Sequence, residues 1–257
     1  MQAEAPRGIE AAASPGVWRW VAARLTNIAP LITLLFLVAV FSALSPSFAT
    51  LDNVANVLRQ VSITAIIATG LTFVILTAEI DLSVASVANA AGIVVAYLTL
   101  QESYVSIANV PLPGWAAVLG GLAACFTLGA VNAAGVTLIG IPSFIMTLAM
   151  LQIGAGVCAM LVRGQIAYAV PPIVKTLGSG AIGPFPWIVV VAALFLLVGH
   201  LVLTYTRFGR YVYMVGGNRE AAEYAGVNVK LVVAAVMVIS AVCAGVAGML
   251  GVAYFGS

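Results

Sequence analysis

Residues 186–230 read PWIVVVAALFLLVGHLVLTYTRFGRYVYMVGGNREAAEYAGVNVK, and their character changes once, at Thr206. From 186 to 205 the run is apolar and free of Asp, Glu, Lys and Arg; about 20 such residues are what a helix needs to cross the hydrocarbon core of a bilayer. From 206 to 230 six charged side chains follow: Arg207, Arg210, Arg219, Glu220, Glu223 and Lys230. The whole chain of 257 residues holds only ten Lys and Arg and eight Asp and Glu. An apolar span running into so concentrated a charged segment raises the question of what that segment faces.

Composition sets the frame. The chain is 63% hydrophobic and 7% charged, with a mean hydropathy of +1.16. A soluble domain usually carries about 25% charged residues, so this chain belongs in lipid. Its net charge of +2 is too small to indicate nucleic acid, and the basic residues sit at segment ends rather than in a stripe. Cys125, Cys158 and Cys243 each lie within an apolar run, without metal-ligand or Cys-x-x-Cys spacing. They read as packing residues.

The first long apolar run starts only at Ile28, after 27 residues that include Arg7, Arg19 and Arg24. A retained span rather than a cleaved leader is therefore expected. Residues 1–27 are expected to form a cytosolic tail, its Ala, Pro and Gly-rich first part disordered, and residues 28–257 a transmembrane domain.

Seven apolar windows follow: 28–45, 61–78, 82–100, 115–139, 142–162, 186–205 and 231–254. They are continuous rather than alternating, which indicates helices and not barrel strands. The expected fold class is all-α, a polytopic membrane helix bundle. With a cytosolic amino terminus, Arg7, Arg19, Arg24, Arg207, Arg210, Arg219 and Lys230 fall inside, against Arg59, Arg163 and Lys175 outside. This follows the positive-inside rule. Small residues recur at spacing four, as Gly121, Cys125, Gly129 and Ala133, and as the pairs Ala241 with Gly245 and Ala244 with Gly248. Such stripes let helix backbones approach closely.

Between Arg59 and Glu102 the only charged side chains are Glu79 and Asp81. Ionisable groups beside hydrocarbon face a cavity, a partner or the interface. Two readings stand: Asp81 or Ser83 caps the third helix, or Glu79, Asp81 and Ser83 belong to a substrate path together with the neutral amides Asn89 and Asn132. Amides and hydroxyls suit a solute that is itself a set of hydroxyl groups, and they equally suit helix-to-helix hydrogen bonding. Few ionisable groups line the spans, which counts against proton coupling and less against sodium. The sequence contains no nucleophile elbow, metal-ligand cluster or phosphate-cradling loop, so no catalytic residue or metal site is assigned. Any nucleotide that drives the protein is expected on another chain.

Residues 219–225, REAAEYA, read as two helical turns. Asn218 supplies the N-cap, Glu220 an anion in the first turn, and Gly226 the left-handed residue after the last turn. So short a helix is marginal in water and needs a surface to dock on. Ala221, Ala222 and Ala225 offer a low-profile face able to enter a groove, with Arg219 and Glu223 beside it; the alternative is a solvated loop that merely joins two spans.

The string EAAEYAG, Glu220 to Gly226, is similar to the EAA-xxx-G loop of ABC importer permeases, whose short helix seats in a cleft of the cytosolic ATPase. TRFGRYVYMVGGNREAAEYAGVNV at 206–229, GLTFVILTAEIDLSVASV at 70–87 and IPSFIMTLAML at 141–151 resemble, more narrowly, the ribose-type monosaccharide permeases. The resemblance implies a bacterial inner-membrane subunit that pairs with a second permease copy. It implies a periplasmic sugar-binding protein, and an ATPase dimer carrying ATP and Mg that docks on the 206–230 coupling loop. On that loop the coupling residues would be Asn218, Arg219, Glu220, Ala221, Ala222, Glu223 and Gly226. Nucleoside or branched-chain amino acid permeases, and an ion-coupled secondary transporter, are the alternatives. Two departures stand out. Ala78, Glu79 and Ala85 replace glycines common in the family, and the chain stops at Ser257 where family members continue, so a carboxyl-terminal truncation is expected.

Overall fold

The structure is a computed structural model that describes residues 17–99, 112–162, 170–183 and 185–256. The expected disordered tail with Arg7, and Arg163 of the charge comparison, lie outside the described residues. In chain order the elements are α1 (Val17–Leu44), α2 (Leu51–Leu76), α3 (Val84–Thr99), α4 (Gly114–Ala134) continued by a π-helical turn (Gly135–Ile139), α5 (Ser143–Val162) and α6 (Pro172–Ser179). There follow β1 (Ala181–Ile182), β2 (Phe185–Pro186), α7 (Trp187–Tyr205), α8 (Arg207–Gly217), α9 (Arg219–Tyr224) and α10 (Val229–Phe255). The fold is helical as expected; β1 and β2 form only a minimal antiparallel hairpin.

Two compact units are distinguished, residues 1–53 and 54–257. In the first, the turn after α1 is closed by Asn53, whose side-chain amide donates to the Phe48 carbonyl at 2.7 Å. The rings of Phe41 and Phe48 lie 5.5 Å apart.

The second unit is built around α10, which packs on α3, α4, α6, α8 and α9. Its small residues explain why it can. A Cβ added to Gly129 would meet the Ala241 methyl at 2.6 Å, and one added to Gly245 would meet Cys125 Sγ at 2.5 Å. These are the stripes the sequence spaces four apart, and they let α4 and α10 touch backbone to backbone. Three apolar clusters surround α10. One joins Phe73 and Val74 to Val212, Val215 and Ala222, a second joins α3 to α4, and a third joins Ile66 to Ile188 and Ala192.

Outward faces are apolar as well: Phe126, Ile153, Met160, Leu194 and Leu197 are all exposed. Water would not tolerate so much contiguous apolar surface, whereas lipid requires it. Among the described residues five helices are long and apolar enough to cross a membrane: Leu51–Leu76, Gly114–Ile139, Ser143–Val162, Trp187–Tyr205 and Val229–Phe255. The other two expected spans are the shorter apolar stretches Ile28–Leu44 and Val84–Thr99. The count of seven is therefore not reached on length alone. For the third window the reason is local: residues 77–83 are not helical, so α3 starts later than the apolar pattern does.

Candidate functional site

The charged segment folds into two helices where the sequence indicated one. α8 begins at Thr206, whose hydroxyl caps it by accepting from the Gly209 amide at 3.1 Å, and buries Gly209, Val212 and Val215. Three glycines in eleven residues hid it from a propensity reading. The signal was the three-residue spacing of 209, 212 and 215 among exposed Arg and Tyr side chains.

α9 has the termini expected of it. Asn218 Oδ1 accepts from the Ala221 amide at 2.9 Å, and Glu220 stands in the first turn. Gly226 at φ +83° closes a Schellman turn, with the Val227 amide donating to the Ala222 carbonyl and the Gly226 amide to the Glu223 carbonyl. The alanine face does not survive as one surface. Ala222 is 1% exposed and packs into its own bundle with Val212 and Val215. Ala221, Glu220, Glu223 and Ala225 face outward, and Tyr224 is 92% exposed. The outward surface of α9 therefore presents Tyr224 beside Glu220, Glu223, Ala221 and Ala225, with Ala222 withdrawn from it.

The second part of the site is the elbow between α2 and α3. α2 ends in another Schellman turn: the Ala78 amide donates to the Ile75 carbonyl and the Glu79 amide to the Val74 carbonyl, with Ala78 held at φ +59°. The carboxylate of Glu79, 9% exposed, pairs with the guanidinium of Arg219, whose side chain is 51% exposed. Asp81, 6% exposed, accepts from the Ser83 amide at 2.9 Å and the Ser83 hydroxyl at 2.6 Å. Its other oxygen accepts from the Ser240 hydroxyl on α10 at 2.7 Å. The Asn132 side-chain amide donates to Ser83 Oγ at 2.8 Å, while its own Oδ1 has no protein partner. α5 holds the elbow from the other side. The Ile80 amide donates to Ser143 Oγ and the Leu82 amide to Thr147 Oγ1, each at 3.1 Å.

The Ser83 carbonyl accepts the first bond of α3, from the Val87 amide, and Asp81 holds Ser83 just before that helix. Glu79 points to α9. Of the five path candidates, Asn89 alone lines the cavity of about 510 Å³ between α2, α3, α5 and α10, which is otherwise apolar, with Ile63, Ile67, Ile93 and Cys158 in its wall. A smaller polar cavity of about 240 Å³ lies between the π-helical turn and Arg219, Glu223 and Lys230. A third, about 460 Å³, is lined by Asn56, Arg59, Ser179, Tyr254 and Phe255. Among the described residues no cluster of three or more His, Cys, Asp or Glu could hold a metal ion.

The three sequence blocks 70–87, 141–151 and 206–229 thus meet at one end of the bundle. The family described as branched-chain amino acid transport system / permease component matches residues 53–257. The D-allose transport system permease protein of Escherichia coli (strain K12) is 35% identical over 227 residues, 87% of this chain and 67% of that protein. The ribose import permease protein of the same strain is 35% identical over 234 residues, 88% of this chain and 69% of its own length. The galactofuranose transporter permease protein of that strain is 31% identical over 233 residues, covering 88% and 66%. The chain spans about two thirds of the length of these relatives. No solved structure matches it. On the extent of the family match, and on relatives this similar over most of its length, the chain belongs to the branched-chain amino acid transport system / permease component family: it is a helical membrane permease subunit and not an enzyme.

Proposed function

We propose that this chain is the membrane-spanning subunit of an ATP-driven importer for a monosaccharide, embedded in the inner membrane with its amino terminus in the cytosol. The relatives are named for D-allose, ribose, galactofuranose and fructose, which supports a sugar. The observation that carries the coupling role is α9: a capped six-residue helix seated on its own bundle through Ala222, with Tyr224 turned outward. In this reading a cytosolic ATPase holding ATP and Mg docks on α8 and α9. A sugar-binding protein delivers its load on the opposite side, and a second permease copy completes the pathway. ATP binding and hydrolysis shift the permease between two orientations because the closed ATPase favours one of them.

A second reading, import of a branched-chain amino acid, is favoured by the name of the matching family. One experiment separates the two. The chain is reconstituted in proteoliposomes with the ATPase and binding protein encoded beside it, and uptake of labelled monosaccharides and of leucine, isoleucine and valine is measured with and without ATP. ATP-dependent uptake of a monosaccharide supports the proposal. Leucine uptake supports the second reading, and uptake that ignores ATP but follows an ion gradient makes this a secondary transporter.

A further inference from the structure

The elbow between α2 and α3 is held from both sides. From within the bundle, Ser143 and Thr147 of α5 hold the backbone at Ile80 and Leu82, Ser240 of α10 holds Asp81, and Asn132 of α4 holds Ser83. From the charged segment two contacts reach it. α8 presses against it at Gly216, where an added Cβ would meet the Leu76 carbonyl oxygen at 1.8 Å, and α9 grips it through Arg219 and Glu79. Among the described residues this is the one ion pair. Residues 79–83 therefore connect α9 to three membrane helices.

The two partners are not equivalent. Arg219 is half exposed, so on separation its guanidinium enters water or meets an acidic group of a partner at little cost. Glu79, 9% exposed with α9 in place, would lose both its cation and the side chain that covers it, and a carboxylate at a largely buried site without a cation is disfavoured. Separation of α9 from the elbow is thus opposed by Glu79, and the pair restores α9 to its resting seat. A purely apolar contact would resist separation without drawing the helix back over any distance.

Resting on the importer reading above, we propose that Glu79 is a positioning residue for coupling: through Arg219 it ties the movement of the ATPase-docking helix to the α2–α3 elbow, and thereby to α4, α5 and α10. The residue performs no chemistry and touches no solute. Its effect is to convert a displacement of α9 into a displacement of helix ends.

The test uses the assembled transporter in proteoliposomes, with its ATPase and binding protein, and reads ATP hydrolysed per sugar imported. In Glu79→Gln this ratio is expected to rise about tenfold, within the range of a coupling free energy between two sites. Arg219→Gln, altered at a half-exposed position where folding is less at risk, is expected to raise it similarly. The double variant should match either single one, since both remove the same link. A ratio unchanged in both single variants, with hydrolysis and uptake falling together or not at all, assigns the pair a structural role and overturns the proposal. Wild-type proteoliposomes that import no sugar on ATP would instead overturn the importer reading beneath it.

Discussion

Gly216 of α8 and Leu76 at the end of α2 touch backbone to backbone: a single methyl group on Gly216 would place carbon 1.8 Å from the Leu76 carbonyl oxygen. No side-chain rotation relieves that overlap, because the obstacle is main chain. Gly216→Ala gains about 1 kcal/mol of helix propensity and meets an overpacking cost of about 1–3 kcal/mol or more; the cost prevails here, since α8 must move bodily. Gly217, with nothing within 4 Å of its added Cβ, provides the control. Thermal unfolding in detergent should show a lower midpoint for Gly216→Ala and an equal or higher one for Gly217→Ala.

Ala222 and Tyr224 are two residues apart and opposite in role. Ala222→Trp forces a large ring into a closed apolar cluster and is expected to lower the unfolding midpoint, with any loss of ATPase binding following from an unseated α9. Tyr224→Ala, at an exposed position, should change stability by no more than about 0.5 kcal/mol. If Tyr224 anchors the partner, the same change should weaken ATPase capture by about 2 kcal/mol, the scale of an interface hot spot. Affinity purification of the tagged chain beside the co-expressed ATPase, together with a melting curve for each variant, distinguishes the two effects.

Ala78 occupies a left-handed conformation, at φ +59°, that costs an L-residue about 1–2 kcal/mol. Glycine relieves this but adds about 0.4–1 kcal/mol of unfolded-chain entropy. The balance favours Ala78→Gly by up to about 1.6 kcal/mol, so its melting midpoint should rise. A fall would mean that the methyl group contributes packing at the elbow.

Ser240 donates to a buried carboxylate at 2.7 Å, and hydrogen bonds to charged groups are worth about 1.5–3 kcal/mol. Ser240→Ala should lose that amount. In an Asp81→Asn background the same change should cost less, because the acceptor no longer carries charge. A double-mutant cycle on unfolding free energies measures the difference.

Much of this was readable from residue order. Continuous apolar runs gave helices, the spacing of Gly121, Cys125 and Gly129 marked a close helix crossing, and the caps Asn218 and Gly226 delimited α9 correctly because cap chemistry is local. What the sequence left open depended on distance. The groups that hold Asp81 and Ser83 lie far along the chain, Ser240 donating to the first and Asn132 to the second. The inward turn of Ala222 depended on α8, whose glycines conceal it and whose Val212 and Val215 become intelligible only once a bundle lies beneath them. The partner of Glu79 had no local signal, since nothing near residue 79 points to residue 219.

That separation also affects how the protein is made. Glu79 and Arg219 are 140 positions apart, and Asp81 and Ser240 are 159 apart. At about 5–20 residues per second of synthesis, the elbow emerges on the order of ten seconds before the residues that neutralise and hold it. During that interval Glu79 lacks its cation, and Asp81 has Ser83 but not the Ser240 hydroxyl. The early helices can insert one at a time and gain the bonds from Asn132, Ser143 and Thr147 first, but the elbow is fully held only when α9 and α10 arrive, so its assembly is completed by the last helix described.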